Sequence, residues 1–477
     1  MLSKIKGLLL ILLYTLIACG CVWLCHYTSS TPLPSTSEVP HLIATSQLVE
    51  SHQNSLSSIH KALPPTRPFH RLAALTTTFI GAPLSGEYSL RSYRLLPTFL
   101  TAVLLALIPA LGLKRRGGFF ETNDAPFWVM AFLIASPAVL CFCCRFTPLA
   151  FQASTFFLLL VSTRAYVQWP NYLSAMLIGF LAALAVLAEP DFLWAVLLLI
   201  PVIGIGLGWR RLALFWHTGH FLTLVATLLF ILGVGHFRIT DLTLALVNAF
   251  QLSEPILYAL KWRLIWLCSG GFALLAWLGM LIWRKYNSDH RWERILLILF
   301  PIYLLASLFF KDGGGFAIPT ICLSALLLAF LLSLVPNFWW KLSLGSITFA
   351  VLILCNIHLT SISFDLSGTD RKRQIKALKD LRSALNVAQG TSVPFDIAIN
   401  DPELNAAMHW HLRHYPLSVS AQHTKQMLLL SDRSYLDTKT TLKLTQNSVA
   451  MQTFHLSANQ LLYLFEISRK ASTKGTE

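Results

Sequence analysis

The sequence predicts an all-α polytopic membrane bundle of about eleven transmembrane helices, followed by a small C-terminal α/β domain outside the membrane. Three observations carry this. Of the 477 residues 55% are hydrophobic and only 12% charged, a mean hydropathy of +0.61, far more apolar than a soluble domain. The apolar residues come in runs of about 17 to 22 without period-two alternation, and such runs satisfy their own backbone hydrogen bonds in lipid only as helices. After Ile357 the composition turns mixed and charged, which marks a domain boundary.

Residues 1–27 read as the first span, and the next long apolar run begins only near Leu95. The interval 28–94 is therefore a long first outer loop. It carries a helical stretch at 41–61, the pair Pro64-Pro65, an apolar segment at 72–82 and the run Gly86-Glu87-Tyr88-Ser89-Leu90-Arg91. A connection of that length inside a compact bundle is functional or a separate domain. Further spans centre near residues 104, 133, 155, 179, 199, 223, 273, 302, 324 and 348, with a second outer loop at 236–264. Residues 1–357 form the helical domain on this reading.

Short-loop charges set the orientation. Lys4, Lys6, Lys114-Arg115-Arg116, Arg164, Arg210-Arg211, Arg284-Lys285, Arg291, Arg294 and Lys341 fall on one side, whereas the opposite short loops hold little beyond Arg145 and Lys311. The positive-inside rule then makes the N-terminus cytoplasmic. An odd number of spans puts the first loop and the C-terminal domain on the far side, which predicts a multi-pass membrane protein with a periplasmic or extracellular C-terminal domain. The net charge of +15 is largely this cytoplasmic bias plus a basic tail, not a nucleic-acid footprint. Leu16-Ile17-Ala18-Cys19-Gly20 after Lys4 and Lys6 also fits a lipoprotein signal, but the apolar run continues through Val22, Trp23 and Leu24 as a full span. All nine cysteines lie in or beside spans, so disulfides do not hold the outer domain.

The outer domain occupies 358–467, and 468–477 reads as a disordered tail. A helix at 370–388 shows Ile375, Leu378, Leu381, Ala384 and Leu385 on one stripe. A strand follows at 394–400, then a helix at 401–415 with Asp401 placed to cap it and Pro402 in its first turn. Further strands are predicted at 426–430, 440–445, 449–455 and 461–467.

Several short segments occur in a telling order. Pro64-Pro65 precedes Phe69-His70 and an apolar helix, and Gly86 to Arg91 leads through Arg94-Leu95-Leu96-Pro97 into the second span. Ser136-Pro137 ends the third span with Arg145 just after it, followed by the stretch from Gly179 to Pro190. Phe309-Phe310-Lys311 and Gly315-Phe316-Ala317-Ile318-Pro319 then enter a late span. In order and topology the chain resembles the polyprenyl-phosphate-sugar-dependent integral membrane glycosyltransferases of the GT-C fold, which include protein O-mannosyltransferases and lipid A aminoarabinose transferases. The resemblance implies an enzyme that moves a sugar from a polyprenyl-phosphate donor to a lipid, glycan or protein acceptor on the outer face, within membrane lipid and without nucleic acid. Active members carry an acidic pair early in the first outer loop, as general base or to help place a metal. Here that position reads Ser37-Glu38, and Arg145 is followed by Phe146-Thr147-Pro148-Leu149-Ala150-Phe151 without the second Asp the family often has. A divalent metal is compatible with the resemblance, but no residue pattern here indicates one.

Sugar transfer from a lipid phosphate needs a base for the acceptor and cations for the leaving phosphate. By position Glu38 is the candidate base; its plainer reading is a solvated loop carboxylate at a helix start. Lys311, Arg145 and Arg67 are the candidate phosphate ligands, since an Arg grips phosphate oxygens in a fork and a Lys supplies a point charge. Lys311 stands before Gly313-Gly314-Gly315, whose backbone can approach an anion closely, although a snorkelling interfacial lysine fits equally well. Glu87 and Arg91, four residues apart, read as a structural loop pair. Glu189 and Asp191 around Pro190 read as turn and capping residues. His409, His411 and His414, with Glu403 and His423, suggest zinc, but 409 and 411 point about 200° apart on a helix and cannot share one ion. Two other function classes stay in view: a catalytically silent GT-C relative that binds lipid-linked sugars or scaffolds envelope assembly, and a transporter, disfavoured by the shortage of ionisable groups within the spans.

Overall fold

The computed structural model describes residues 2–29, 33–34, 38–53, 68–81, 90–112, 125–136, 145–207, 219–235, 237, 240, 243, 273–279, 281, 291–309, 316–333, 335–359, 369–389, 395–412, 426–432, 448–456 and 461–468. In chain order the helices are α1 (Leu2–Ser29), α2 (Val39–Gln53), α3 (Pro68–Thr76, running into a π-helical turn at Thr77–Gly81), α4 (Leu90–Gly112), α5 (Ala125–Ala135), α6 (Leu149–Gln168) and α7 (Tyr172–Ala188). They continue with α8 (Leu193–Leu207), α9 (His220–Val234), α10 (Arg291–Phe309), α11 (Ala317–Ser333), α12 (Phe338–Leu359), α13 (Thr369–Gln389) and α14 (Pro402–His411). Four strands follow the same order: β1 (Phe395–Ala398), β2 (Gln426–Asp432), β3 (Ser448–His455) and β4 (Leu461–Ser468). Each predicted span centre falls on helical residues, the one at 273 on a helical stretch over 273–279.

Among the described residues no helix is long and apolar enough to cross a membrane. The backbones of α1, α4 and α12 run for 28, 23 and 22 residues. At 1.5 Å per residue these helices are roughly 42, 34 and 33 Å long. Their outer surfaces are apolar: Leu12, Leu16 and Trp23 on α1, Phe99 on α4, and Trp339, Trp340 and Ile347 on α12 are all exposed. Apolar groups on the outside as well as the inside are what lipid, rather than water, tolerates.

The chain groups into two compact units, residues 1–27, 56–73 and 94–363 in the first and 28–55, 74–93 and 364–477 in the second. In the first unit the helices are tied by hydroxyl groups that bond across them or back onto their own carbonyls. Ser154 on α6 donates to the carbonyl of Leu100 on α4 at 2.7 Å, and the Thr98 hydroxyl meets Nδ1 of the buried His26 on α1 at 2.8 Å. Tyr303 on α10 donates to the carbonyl of Ala195 on α8 at 2.6 Å. Small residues set the closest approaches. Gly179 on α7 lies directly against the Leu224 backbone of α9, and Gly345 on α12 receives the ring of Trp128 from α5; neither position has space for a Cβ. Arg164 and Lys341, read from sequence as loop residues, sit inside α6 and α12 and are buried.

The second unit holds a four-stranded mixed sheet of order β1-β2-β4-β3, with β1 parallel to β2 and the other pairs antiparallel. A bulge between Ala450 and Gln452 shifts the register of β3. The apolar stripe of α13 packs on one sheet face: Leu378, Leu381 and Leu385 meet Phe395, Ile397, Leu428, Leu430, Leu462 and Leu464, with Leu404, Met408 and Leu412 from α14 and its end. Period-two alternation explains the strand side of that core, and spacing of three and four the helix side. Leu33 packs onto the same core, and Tyr93 meets Trp410 edge-on at 6.1 Å. The predicted strand at 440–445 lies outside the described residues.

Candidate functional site

In the first unit, buried hydroxyls without partners among the described residues stand at the end of α5 and just before α6. α5 ends at Ala135, and the next residue, Ser136, is 3% exposed with an Oγ that has no hydrogen-bond partner among the described residues. The chain re-emerges at Arg145, which is half-buried, then Phe146, Thr147 and Pro148, all buried. Thr147 is 6% exposed, and its Oγ1 also has no partner among the described residues. Its backbone N–H donates to the Arg145 carbonyl at 3.0 Å, folding the segment tightly onto the head of α6.

That helix head is bare. Pro148 is the N-cap residue and provides no side-chain cap; Gln152 N–H donates to the Pro148 carbonyl at 2.9 Å. The amides of Leu149, Ala150 and Phe151 precede it, and intrahelical geometry offers them no acceptor. Ala150 and Phe151 are buried. Phe69, at the start of α3, packs on Phe146 with ring centroids 5.3 Å apart and the rings tilted by 40°, and His70 beside it is buried. The segment after Pro64-Pro65 and the segment around Arg145, separate motifs in the sequence, thus meet.

A second convergence involves the late motif. Phe316 at the entry of α11 packs on Tyr303 at 5.5 Å, Tyr303 on Phe156 of α6 at 6.2 Å, and Phe156 on Phe192 in the turn after Glu189-Pro190 at 6.0 Å. One aromatic cluster therefore fixes the α7–α8 turn and the start of α11 against α6. Glu189 and Asp191 both have interaction partners in that turn. An open groove of about 520 Å³ between α7 and α9 is lined by Leu173, Met176, Leu177, Phe180, Ala226, Thr227, Phe230 and Ile231. Its only hydroxyl, on Thr227, is committed to the Thr223 carbonyl at 2.8 Å, so the groove suits hydrocarbon and not a phosphate.

Glu38 belongs to the second unit, where it immediately precedes α2. Its carbonyl accepts the Leu42 N–H at 2.9 Å, opening the helix, and its side chain is 0% exposed with an interaction partner. It is therefore no solvated loop carboxylate: a buried charge requires a compensating group. Arg91 lies in the first turn of α4, half-buried and engaged. Lys311, Arg67 and Glu87 lie outside the described residues. His409 is exposed while His411 is buried, as their angular separation on α14 requires.

The sequence reading selected Arg145 as a candidate ligand, named Ser136 only within the Ser136-Pro137 segment and gave Thr147 no role. The signal was readable: an apolar helix starting after Pro148 with no Ser, Thr, Asp or Asn at the cap position leaves its first amides unmatched.

No family model and no curated protein matches the chain. Solved structures do. ArnT from Cupriavidus metallidurans bound to undecaprenyl phosphate superposes with a TM-score of 0.57 at 13% identity, over 98% of this chain and 99% of that one. The apo state of the same protein gives 0.56 at 12%, over 97% and 98%. The archaeal oligosaccharyltransferase AglB from Archaeoglobus fulgidus, in complex with an inhibitory peptide and a dolichol-phosphate, gives 0.47 at 13%, over 88% of this chain and 61% of that one. The chain thus has an ArnT-like fold along nearly its whole length: a mostly helical body with a small C-terminal mixed sheet. The GT-C resemblance read from the sequence holds at the level of the fold.

Proposed function

We propose that the protein is an integral membrane glycosyltransferase that moves a sugar from a polyprenyl-phosphate donor to a lipid, glycan or protein acceptor on the outer face of a bacterial inner membrane. The observation that carries this reading is the near full-length likeness to ArnT, a protein solved with undecaprenyl phosphate, on a chain whose apolar exterior suits lipid. In the reaction an acceptor oxygen or nitrogen attacks the anomeric carbon, the bond from that carbon to the phosphate oxygen breaks, and the polyprenyl phosphate leaves with the electron pair. Glu38 takes the acceptor proton as general base. Arg145, with Lys311 and Arg67, neutralises the charge that grows on the phosphate. Glu87 and Arg91 brace the loop. No metal is assigned a part.

The test is sugar transfer in liposomes from radiolabelled polyprenyl-phosphate sugars, comparing the full chain with Glu38→Gln. Loss of a base is expected to lower kcat by about 10²–10⁴-fold. Equal rates for the two proteins remove Glu38 as base, and no transfer from any donor removes the enzyme reading. A second reading, a catalytically silent relative that binds lipid-linked sugars or scaffolds envelope assembly, is favoured by one feature: a single acidic residue stands where the family has a pair. Donor binding without transfer would select it.

A further inference from the structure

We infer that the outward face of α13 is a docking surface for an anionic lipid bilayer, held by a stripe of lysines. The inference rests on the membrane part of the reading above and not on the reaction. α13 carries six basic residues, Arg371, Lys372, Arg373, Lys376, Lys379 and Arg382, against two acidic ones, Asp370 and Asp380. Its apolar side is committed to the sheet, where Ala377, Leu378, Leu381 and Leu385 are buried. At about 100° per residue Lys372, Lys376 and Lys379 fall within an arc of about 60°, opposite that apolar stripe and along about 10 Å of helix. All three are exposed and make no ion pair or hydrogen bond among the described residues, whereas Arg373 and Arg382 have partners. Asp380 stands half-buried at the edge of the stripe. Like charges spaced by one helical turn repel, and one carboxylate does not balance three ammonium groups. A surface of opposite charge supplies what the helix lacks.

Two features favour a bilayer over a soluble polyanion. Ile375, on the same side as the lysines, is 49% exposed. An apolar side chain there gains by entering the headgroup layer, while the lysine stems lie along it with their ammonium groups among the phosphates. Residues 360–368 alone separate the end of α12 from the start of α13, a tether short enough to keep lipid headgroups within reach. Anionic headgroups then offer negative charge over a plane, which a row of lysines engages together.

The test is amide hydrogen exchange on the full chain in nanodiscs of phosphatidylcholine alone and of phosphatidylcholine mixed with phosphatidylglycerol. Amides of 369–389 are expected to exchange about 5- to 10-fold more slowly in the anionic discs, and the difference to vanish at about 1 M salt, where the screening length is about 3 Å. Lys372→Gln, Lys376→Gln and Lys379→Gln together remove the charge and keep helix propensity; the same three positions changed to Arg keep both. The Gln variant is expected to exchange equally in the two kinds of disc and the Arg variant to behave as wild type, with the β2 amides at 426–432 unchanged throughout as the sign that the sheet stays folded. Equal exchange of wild-type α13 in both discs overturns the inference. A lipid effect that survives the Gln variant also overturns it, since another surface would then carry the effect. Protection by soluble polyphosphate in phosphatidylcholine discs, without any effect of phosphatidylglycerol, overturns the bilayer as occupant and assigns the stripe to a soluble polyanion. A chain that stays soluble without lipid or detergent removes the membrane reading and this inference with it; a chain held in discs whose α13 ignores the lipid removes this inference alone.

Discussion

Gly179→Ala puts a methyl group where two helices already touch. An ideal Cβ at Gly179 overlaps the Leu224 carbonyl oxygen and stands 3.1 Å from Thr227 Cβ and 3.3 Å from the Leu224 carbonyl carbon. A side chain could rotate away, but the backbone of α9 moves only as a rigid helix. The whole α7–α9 contact must therefore widen, and overpacking of this kind costs about 1–3 kcal/mol, here at the upper end because the obstacle is backbone. Against this, replacing a mid-helix glycine with alanine returns about 1 kcal/mol of helix propensity. The net expectation is a loss of about 2 kcal/mol for Ala. For Val it is larger, since a β-branched side chain adds volume and has weaker helix propensity. The assay is thermal unfolding of the purified protein in detergent, with Gly20→Ala as the control because nothing lies within 4 Å of a Cβ there. The expected order of apparent Tm is G20A at or above wild type, then G179A several degrees below, then G179V lowest. A rise for G179A equal to that for G20A would refute the close contact.

Other outcomes follow from the same reasoning. Tyr303→Phe removes the 2.6 Å bond to the Ala195 carbonyl inside the aromatic cluster and is expected to cost about 1–1.5 kcal/mol, read as a lower Tm in detergent; an unchanged Tm would mean that this bond adds nothing to the α8–α10 contact. Leu381→Ala opens a cavity at a fully buried position between α13 and the sheet and is expected to cost about 2–5 kcal/mol. Limited proteolysis is the readout, with earlier cleavage expected in 364–477 than in wild type, and an unaltered time course as the contrary result.

Much of the architecture was legible because its causes are local. The span centres follow from uninterrupted apolar length, and the stripe Leu378, Leu381, Leu385 follows from helical spacing. The strands near 395, 426, 449 and 461 are short β-rich runs bounded by polar residues. The reading erred where burial mattered. Arg164 and Lys341 looked like loop charges because a positive charge in a sequence says nothing of what packs around it. Glu38 looked equally like a solvated carboxylate because its burial is imposed by residues distant in the chain.

The sequence by itself determined that the chain is a mostly helical body with a small mixed α/β region, since hydropathy, period and turn chemistry act over a few residues at a time. Only the tertiary structure decided which separated segments share a core. Leu33 and Tyr93 join Trp410 and the C-terminal sheet in one compact unit, and Phe69 meets Phe146 beside the bare start of α6. Such contacts depend on long-range closure, which no local pattern encodes.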